Sequence, residues 1–468
     1  MSDLLRAVGA RRYSDALVAL MLTTAAAAPT LAQDYGPVLP APPDAPVAVE
    51  PTPYVPVDLQ QIVGQAVASA PEVEAARVIT RAADFDIEAA KWLRFPSVQA
   101  EGFGFATGQR DGLQSQITVE QPVWTGGRIS SAIDRARAAK LVTLAEVQEA
   151  LFDIALEAAE EYFEAVGAAR RLVVLVNSLE QHQALVDRIA RRVDGGVSPN
   201  SDLNLAQSRT AQVEEEIAVT RAAGATAEAR LAELLEEPNF ALGPPPPYDA
   251  ARYHPDIPDL VARSVQCDPV RQRLQAETVL ARAETKQARA EIFPQLNLQY
   301  SRSELLGDRV GVSLRQTTQG GLSAFSNANA ARSRAAGSVL DIRSAERALR
   351  EELAADLVAN RAAQRRIEAG AEASRFSTEV RESYARQYVA GRRTWLDLMN
   401  AVREEASAEE SRVGAEVTAM LTSTRLALRS CQLVDFRAPD VMGKEIDRFG
   451  DDQVGEGRVD ELSEETLN

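Results

Sequence analysis

Cysteine and histidine are nearly absent. Cys267 and Cys431 are the only thiols among 468 residues, and His182 and His254 the only imidazoles. The histidines lie far apart, with no cysteine or carboxylate at ligand spacing, so no metal site is expected. There is no P-loop, no Gly-x-Ser-x-Gly elbow and no dinucleotide fingerprint. No catalytic residue and no cofactor can be assigned, and the chain is not expected to be an enzyme. Aromatics reach only 5%. That is poor in bulky core residues but suits long helices rich in Ala, Glu, Arg and Leu. The net charge of −17 excludes an extended nucleic-acid footprint. No later stretch offers about 18 uninterrupted apolar residues, so no spanning helix is expected beyond the N-terminus. Membrane residence would then require a barrel.

What is present begins with an export signal. Arg6, Arg11 and Arg12 precede an apolar stretch from Ala16 to Ala28, and Thr30-Leu31-Ala32 places small residues at a cleavage site. Residues 1–32 read as a signal peptide cut after Ala32, with Ala28 the alternative. No cysteine lies near the cut, so no lipid anchor is expected. Residues 33–56 carry Pro37, Pro40, Pro42, Pro43, Pro46, Pro51, Pro53 and Pro56 and read as an extended linker. Residues 434–468, with Asp451, Asp452, Glu456, Asp460, Glu461, Glu464 and Glu465, read as an acidic disordered tail.

Between these ends the chain is duplicated. Ala70-Pro71 opens a helical stretch that ends at Phe95-Pro96. Asp268-Pro269 opens another that ends at Phe293-Pro294, 198 positions on in both cases. Gln121-Pro122-Val123-Trp124-Thr125-Gly126-Gly127 has a looser counterpart in Gln316-Thr317-Thr318-Gln319-Gly320-Gly321. Gly196 followed by Asp202-Leu203 matches Gly391 followed by Asp397-Leu398 at an offset of 195. The first repeat is expected over 57–237 and the second over 258–433, with a linker at 238–257.

Each repeat reads as helix, two strands, very long helix, turn and long helix. From Arg128 to about Val193 there is no proline. Leu144, Val147, Leu151, Ile154, Ala158, Tyr162, Ala165, Ala169, Leu172, Val176 and Leu179 recur there at coiled-coil steps, with Gly167 as a tolerated exception. About 65 residues would span roughly 100 Å, so this helix must lie lengthwise against others. The second repeat has the same from about Ala324 to Tyr388. Strands are expected at about 96–108, 113–124, 294–303 and 309–316. In the first, Phe103 and Phe105 alternate with Gly102 and Gly104. Further on, Ile117, Val119, Leu296, Leu298, Tyr300, Val310, Val312 and Leu314 alternate with polar residues. An open four-stranded sheet in lipid would leave backbone groups unpaired, so partner copies are required; three copies would supply twelve strands.

Over residues 57–433 the chain resembles the TolC-like outer-membrane efflux family. The Pro-terminated helices, the Gln-Pro-Val-Trp-Thr-Gly-Gly-Arg element at 121–128 and the two Gly-x5-Asp-Leu turns carry the likeness. The resemblance implies a mostly α fold with membrane β: a homotrimer with a twelve-stranded outer-membrane β-barrel continued by an α-barrel tunnel in the periplasm. It implies tip turns at about 194–202 and 389–397, with Gly196, Leu203, Gly391 and Leu398 meeting an adaptor. It implies a closed aperture near Asp397, with Asn400 standing where the family has a second carboxylate. Tyr388–Asp202 and Arg393–Ser201 contacts would hold that aperture shut. Trp395 is expected to fill core or interprotomer space. Implied partners are a periplasmic adaptor, an inner-membrane ABC or RND transporter, a protein or small-molecule cargo and outer-membrane lipid. The stretch 390–397 looks most like the type I secretion branch, including adhesin exporters. Small-molecule efflux is the alternative, and a periplasmic coiled-coil adaptor or scaffold the alternative of another class. In an exported protein the cysteine pair invites a Cys267–Cys431 disulfide near the equatorial belt, with two buried free thiols as the other reading.

Overall fold

The computed structural model describes residues 57–105, 112–251, 253, 259–303, 307–316 and 322–437. The expected signal peptide, the Pro-rich linker, His254 and the tail beyond residue 437 lie outside the described residues. So do the side chains of Phe103 and Phe105. The tail is expected from 434, but residues 434–437 are structured, because the Phe436 ring is buried in the main core.

The first repeat runs α1 (Val57–Ser69), α2 (Pro71–Trp92), β1 (Ser97–Phe105), β2 (Gly112–Trp124), α3 (Arg128–Asp194) and α4 (Asn200–Leu234). The second runs α5 (Leu260–Cys267), α6 (Pro269–Ala290), β3 (Gln295–Ser303), β4 (Gly307–Arg315), α7 (Ser323–Val389) and α8 (Trp395–Arg429). The duplication holds to the residue in three of the four helix pairs; the opening helices differ, α1 with 13 residues and α5 with 8. α2 and α6 each have 22 residues, α3 and α7 each 67, and α4 and α8 each 35. Pro71 and Pro269 occupy the first turn, where a missing N–H costs nothing and the fixed φ suits a helix. Asp268 adds a side-chain cap, accepting from the Arg271 N–H at 3.1 Å.

The four strands form one antiparallel sheet in the order β1-β2-β3-β4, so the β2–β3 pairing joins the two repeats. β1 and β4 are each paired on one side only. Among the described residues no helix is long and apolar enough to cross a membrane.

α3 lies against α4, α6 and α8, while α7 lies against α6 and α8. The largest core gathers around the middle of α3, where Phe152, Tyr162 and Phe163 meet Leu59 and Val63 of α1, Leu231 of α4, Met420 of α8 and Phe436. Buried alanines at 155, 158, 159, 165, 227 and 427 let the backbones approach closely there. The sequence rhythm marked one seam along α3. The structure buries a second stripe as well, through Phe152, Ala155, Ala159, Phe163 and Val166, because α3 has neighbours on more than one side. The inter-repeat segment is pinned beside this core. The Tyr253 carbonyl accepts from Ser423 at 2.7 Å and from Gln364 at 3.2 Å. Asn360, fully buried, donates to Ala419, Thr422 and Ser423.

Candidate functional site

Two places in the fold carry the features singled out in the sequence: the free ends of the helical hairpins and the sheet. At the hairpin ends the same turn occurs twice. Gly196 and Gly391 have φ of +73° and +69°, a left-handed backbone that glycine adopts without penalty. The Val197 N–H reaches back to the Arg192 carbonyl and the Arg392 N–H to the Gln387 carbonyl. With a shorter bond inside each, these make two Schellman caps.

The helix starts that follow differ. Thr394 and Asp397 form a capping box. Thr394 Oγ1 accepts from the Asp397 N–H at 3.1 Å, and Asp397 Oδ2 accepts from the Thr394 N–H at 3.2 Å. Hydrogen bonds from Thr394 hold the Asp397 carboxyl below the usual carboxylate range. In the first repeat Pro199 stands where Thr394 would be, and no side-chain cap forms. Asp202 and Ser201 sit in an uncapped first turn.

Leu398, Met399 and Tyr388 are buried with Leu185, Ile189 and Ala206, and Leu203 and Trp395 pack against them. The leucines of the two Gly-x5-Asp-Leu turns therefore belong to one apolar cluster that joins the hairpins at their ends. Trp395 fills core space there. The Tyr388–Asp202 and Arg393–Ser201 contacts are not made within the protomer. The Tyr388 hydroxyl is buried in the cluster without a hydrogen-bond partner. Arg393 instead lies over the Tyr384 ring at 4.4 Å and 4.0 Å from Asp397. The ring face and carboxylate of its own hairpin hold this cation, which leaves none to reach Ser201. Asn400 is exposed and lines a groove between α4 and α8.

Cys267, at the end of α5, and Cys431, just past α8, are joined by a disulfide with Cα atoms 5.8 Å apart. Cys431 Sγ accepts from the Phe436 N–H, and the Phe436 ring meets Phe152 edge-on at 5.2 Å. The bond thus fastens the segment after α8 to the core around the middle of α3. Among the described residues no cluster of three metal-ligating side chains exists.

The sheet has one apolar and one polar face, and their exposure is inverted. Val98, Val119, Tyr300 and Val310 align across the four strands, as do Gln121, Leu298 and Val312 across three of them. This face is open: Val310 is 75% exposed and Leu314 69%. The opposite face carries Thr118, Glu120, Asn297, Gln299, Ser301 and Arg315. There Thr118 is 8% exposed and Asn297 5%, and Glu120 pairs with Arg315 at 2.7 Å. A water-soluble sheet would cover the apolar side; this one covers the polar side.

The Gly126-Gly127 pair of the 121–128 element closes β2 onto α3. A Cβ on Gly126 would overlap that of Phe293, so the motif exists to let the end of α6 sit against this turn. The motif is legible in the sequence; its partner Phe293, in the other repeat, is not.

The family model described as outer membrane efflux protein matches residues 62–236. Solved structures align over nearly the whole fold. That of CusC, described with conformational changes accompanying transmembrane channel formation, has a TM-score of 0.70 at 17% identity, covering 86% of this chain and 99% of that one. The VceC outer membrane protein of Vibrio cholerae gives 0.66 at 16% identity, covering 80% and 95%. The CmeC outer membrane channel of Campylobacter jejuni gives 0.69 at 11% identity, covering 84% and 89%. Comparison with curated proteins finds no significant match. The chain has the fold of the outer membrane efflux proteins, and its first repeat carries their sequence signature.

Proposed function

We propose that three copies of this chain form an outer-membrane export duct of a tripartite system, passive and without chemistry of its own. The observation that carries this is the inverted sheet: an exposed apolar face, a covered polar face and two unpaired edges. Closing β4 of one copy onto β1 of the next removes both edges. It turns the apolar face to lipid and the polar face to a wet lumen. The long hairpins then continue the lumen into the periplasm. Their ends, with Gly196, Gly391 and the first turns of α4 and α8, form the narrow end that meets an adaptor. Energy comes from an inner-membrane transporter.

The finer reading is protein secretion of the type I kind, supported by the likeness of residues 390–397 alone. Small-molecule efflux is the competing cargo class. A periplasmic scaffold accounts for the helices but not for an outward apolar sheet.

The test is single-channel recording of the purified trimer in planar bilayers. Parent protein should give small, cation-preferring channels. Asp397→Ala should reduce that preference by removing a carboxylate near the narrow end. Folded trimer with no channel activity would instead support the scaffold.

A further inference from the structure

The two long hairpins are held together by different chemistry at the same level. In α3–α4 the seam is apolar: Leu175, Val213 and Ile217 are buried, with Leu179 against them. Advancing by the 195-residue repeat, Leu175 becomes Gly370, Leu179 becomes Ser374 and Ile217 becomes Arg412. The substitutions fit one another. A Cβ on Gly370 would lie 3.2 Å from that of Arg412, so the glycine makes room for the arginine stem. Ser374 donates to Glu409 at 2.9 Å, Thr378 to Glu405 at 2.7 Å, and Arg412 binds both Glu409 and Glu416.

Glu416 is the centre of this exchange. It is only 3% exposed, and it is shared between Arg412 of its own helix and Arg170 of α3, whose Nη2 donates at 2.5 Å. Gly167, one turn from Arg170, faces Val417 and brings the two helices close. Toward the hairpin ends from this point, no hydrogen bond or ion pair among the described residues links the two hairpins. Hollows of about 270 Å³ and 310 Å³ open between them instead, beside Ser374 and Asn400 respectively. The next apolar cluster shared by the two hairpins is the one at the tips.

We propose that Glu416 is the latch of the duct: a buried carboxylate that clamps α7–α8 to α3–α4 mid-shaft, so that the free ends swing about the Arg170–Glu416 contact. The reading rests on the chain being a duct. It places the restraint about 30 Å from the tips, since Glu416 lies 19 residues beyond Asp397 at 1.5 Å each. A buried carboxylate between two guanidiniums resists separation, because breaking it strands a charge away from water. The ionic α7–α8 seam can exchange partners as it shifts, which an interlocked apolar seam cannot do at low cost.

The test uses full-length trimer carrying Glu416→Gln or Arg170→Gln, with Arg170→Lys as the conservative variant. Glu405→Gln is the control, because it removes a carboxylate whose bonds, to Thr378 and Arg381, stay within α7–α8. Single-channel recording should show the open-to-closed ratio rising about tenfold or more in both Gln variants, staying near parental in Arg170→Lys and unchanged in Glu405→Gln. Spin labels at Asp187 and Arg403, both exposed and on the tip side, should show a broadened distance distribution in Arg170→Gln. Parental gating and parental label distances in Arg170→Gln would overturn the latch, as would an equal effect of Glu405→Gln. Absence of channels in the parent would overturn the duct itself, a separate outcome. Should Glu416→Gln fail to form trimer, Arg170→Gln, which alters the less buried partner, carries the test.

Discussion

Gly126 combines a left-handed φ of +59° with a Cβ position already taken by Phe293. Alanine there faces a backbone penalty of about 1–2 kcal/mol and a displaced α6 end. Gly126→Ala should therefore lower trimer yield and melting temperature, whereas Gly243→Ala, which points into open space without a positive φ, should leave both unchanged. Thr394→Ala removes one half of a capping box and should cost about 1 kcal/mol, read as faster amide exchange in the first turn of α8. Glu410 sets a pH dependence. Burial first, then the neighbouring Glu216, raise its carboxyl above the usual range, with Arg171 opposing. Such a group binds its proton more readily when folded. Its burden on stability is absent below the ordinary value of about 4.3 and grows as pH rises through the raised folded value. Glu410→Gln should therefore flatten the loss of melting temperature with rising pH across that window. The glycines and the Asp397 position were legible in the sequence as punctuation. The partner of Gly126 was not, because Phe293 is brought to it from the end of α6.

At the scale of elements, residue type and period located the helices and strands well. The β2–α3 turn and both hairpin ends were marked by glycine and by the absence of proline over 128–193. What the rhythm could not convey was how many neighbours a helix has. A single heptad stripe was readable on α3, but the second stripe mixes alanine with Phe152 and Phe163 and looks like surface in isolation. The polar seam of α7–α8 was equally opaque. Arg412, Glu409 and Glu416 at steps of three and four read as a solvated face until Arg170 appears opposite. The hairpins should accordingly differ under mutation. Leu175→Ala leaves a void in an apolar seam and should cost about 2–5 kcal/mol of stability by chemical denaturation.

For the whole molecule, the duplication in the sequence anticipated the duplicated fold and its unclosed sheet. The implied Tyr388–Asp202 and Arg393–Ser201 links were inferred from likeness and are absent within the protomer, where Tyr384 and Asp397 hold Arg393. The Cys267–Cys431 bond spans 164 residues. Chain-entropy arguments assign a loop of that length about 5 kcal/mol as an upper figure. Replacing both cysteines by serine, or reducing the protein before heating, should lower its melting temperature by several degrees; an unchanged melting temperature would mean that the belt core alone fixes the end of α8. The repeats also differ in length: the offset is 198 residues up to the sheet and 195 after it, although α2 and α6, α3 and α7, and α4 and α8 have equal lengths. The three-residue surplus therefore falls between Ser97 and Arg128. An extra residue inside a helix would turn everything beyond it by about 100° and destroy two seams at once, whereas the β1–β2 connection absorbs length without rotating anything. In the proposed orientation the strand ends Phe105 and Gly112 lie at the side of the sheet away from the helices, toward the cell exterior, so a foreign epitope grafted between them would be displayed to antibodies on living cells.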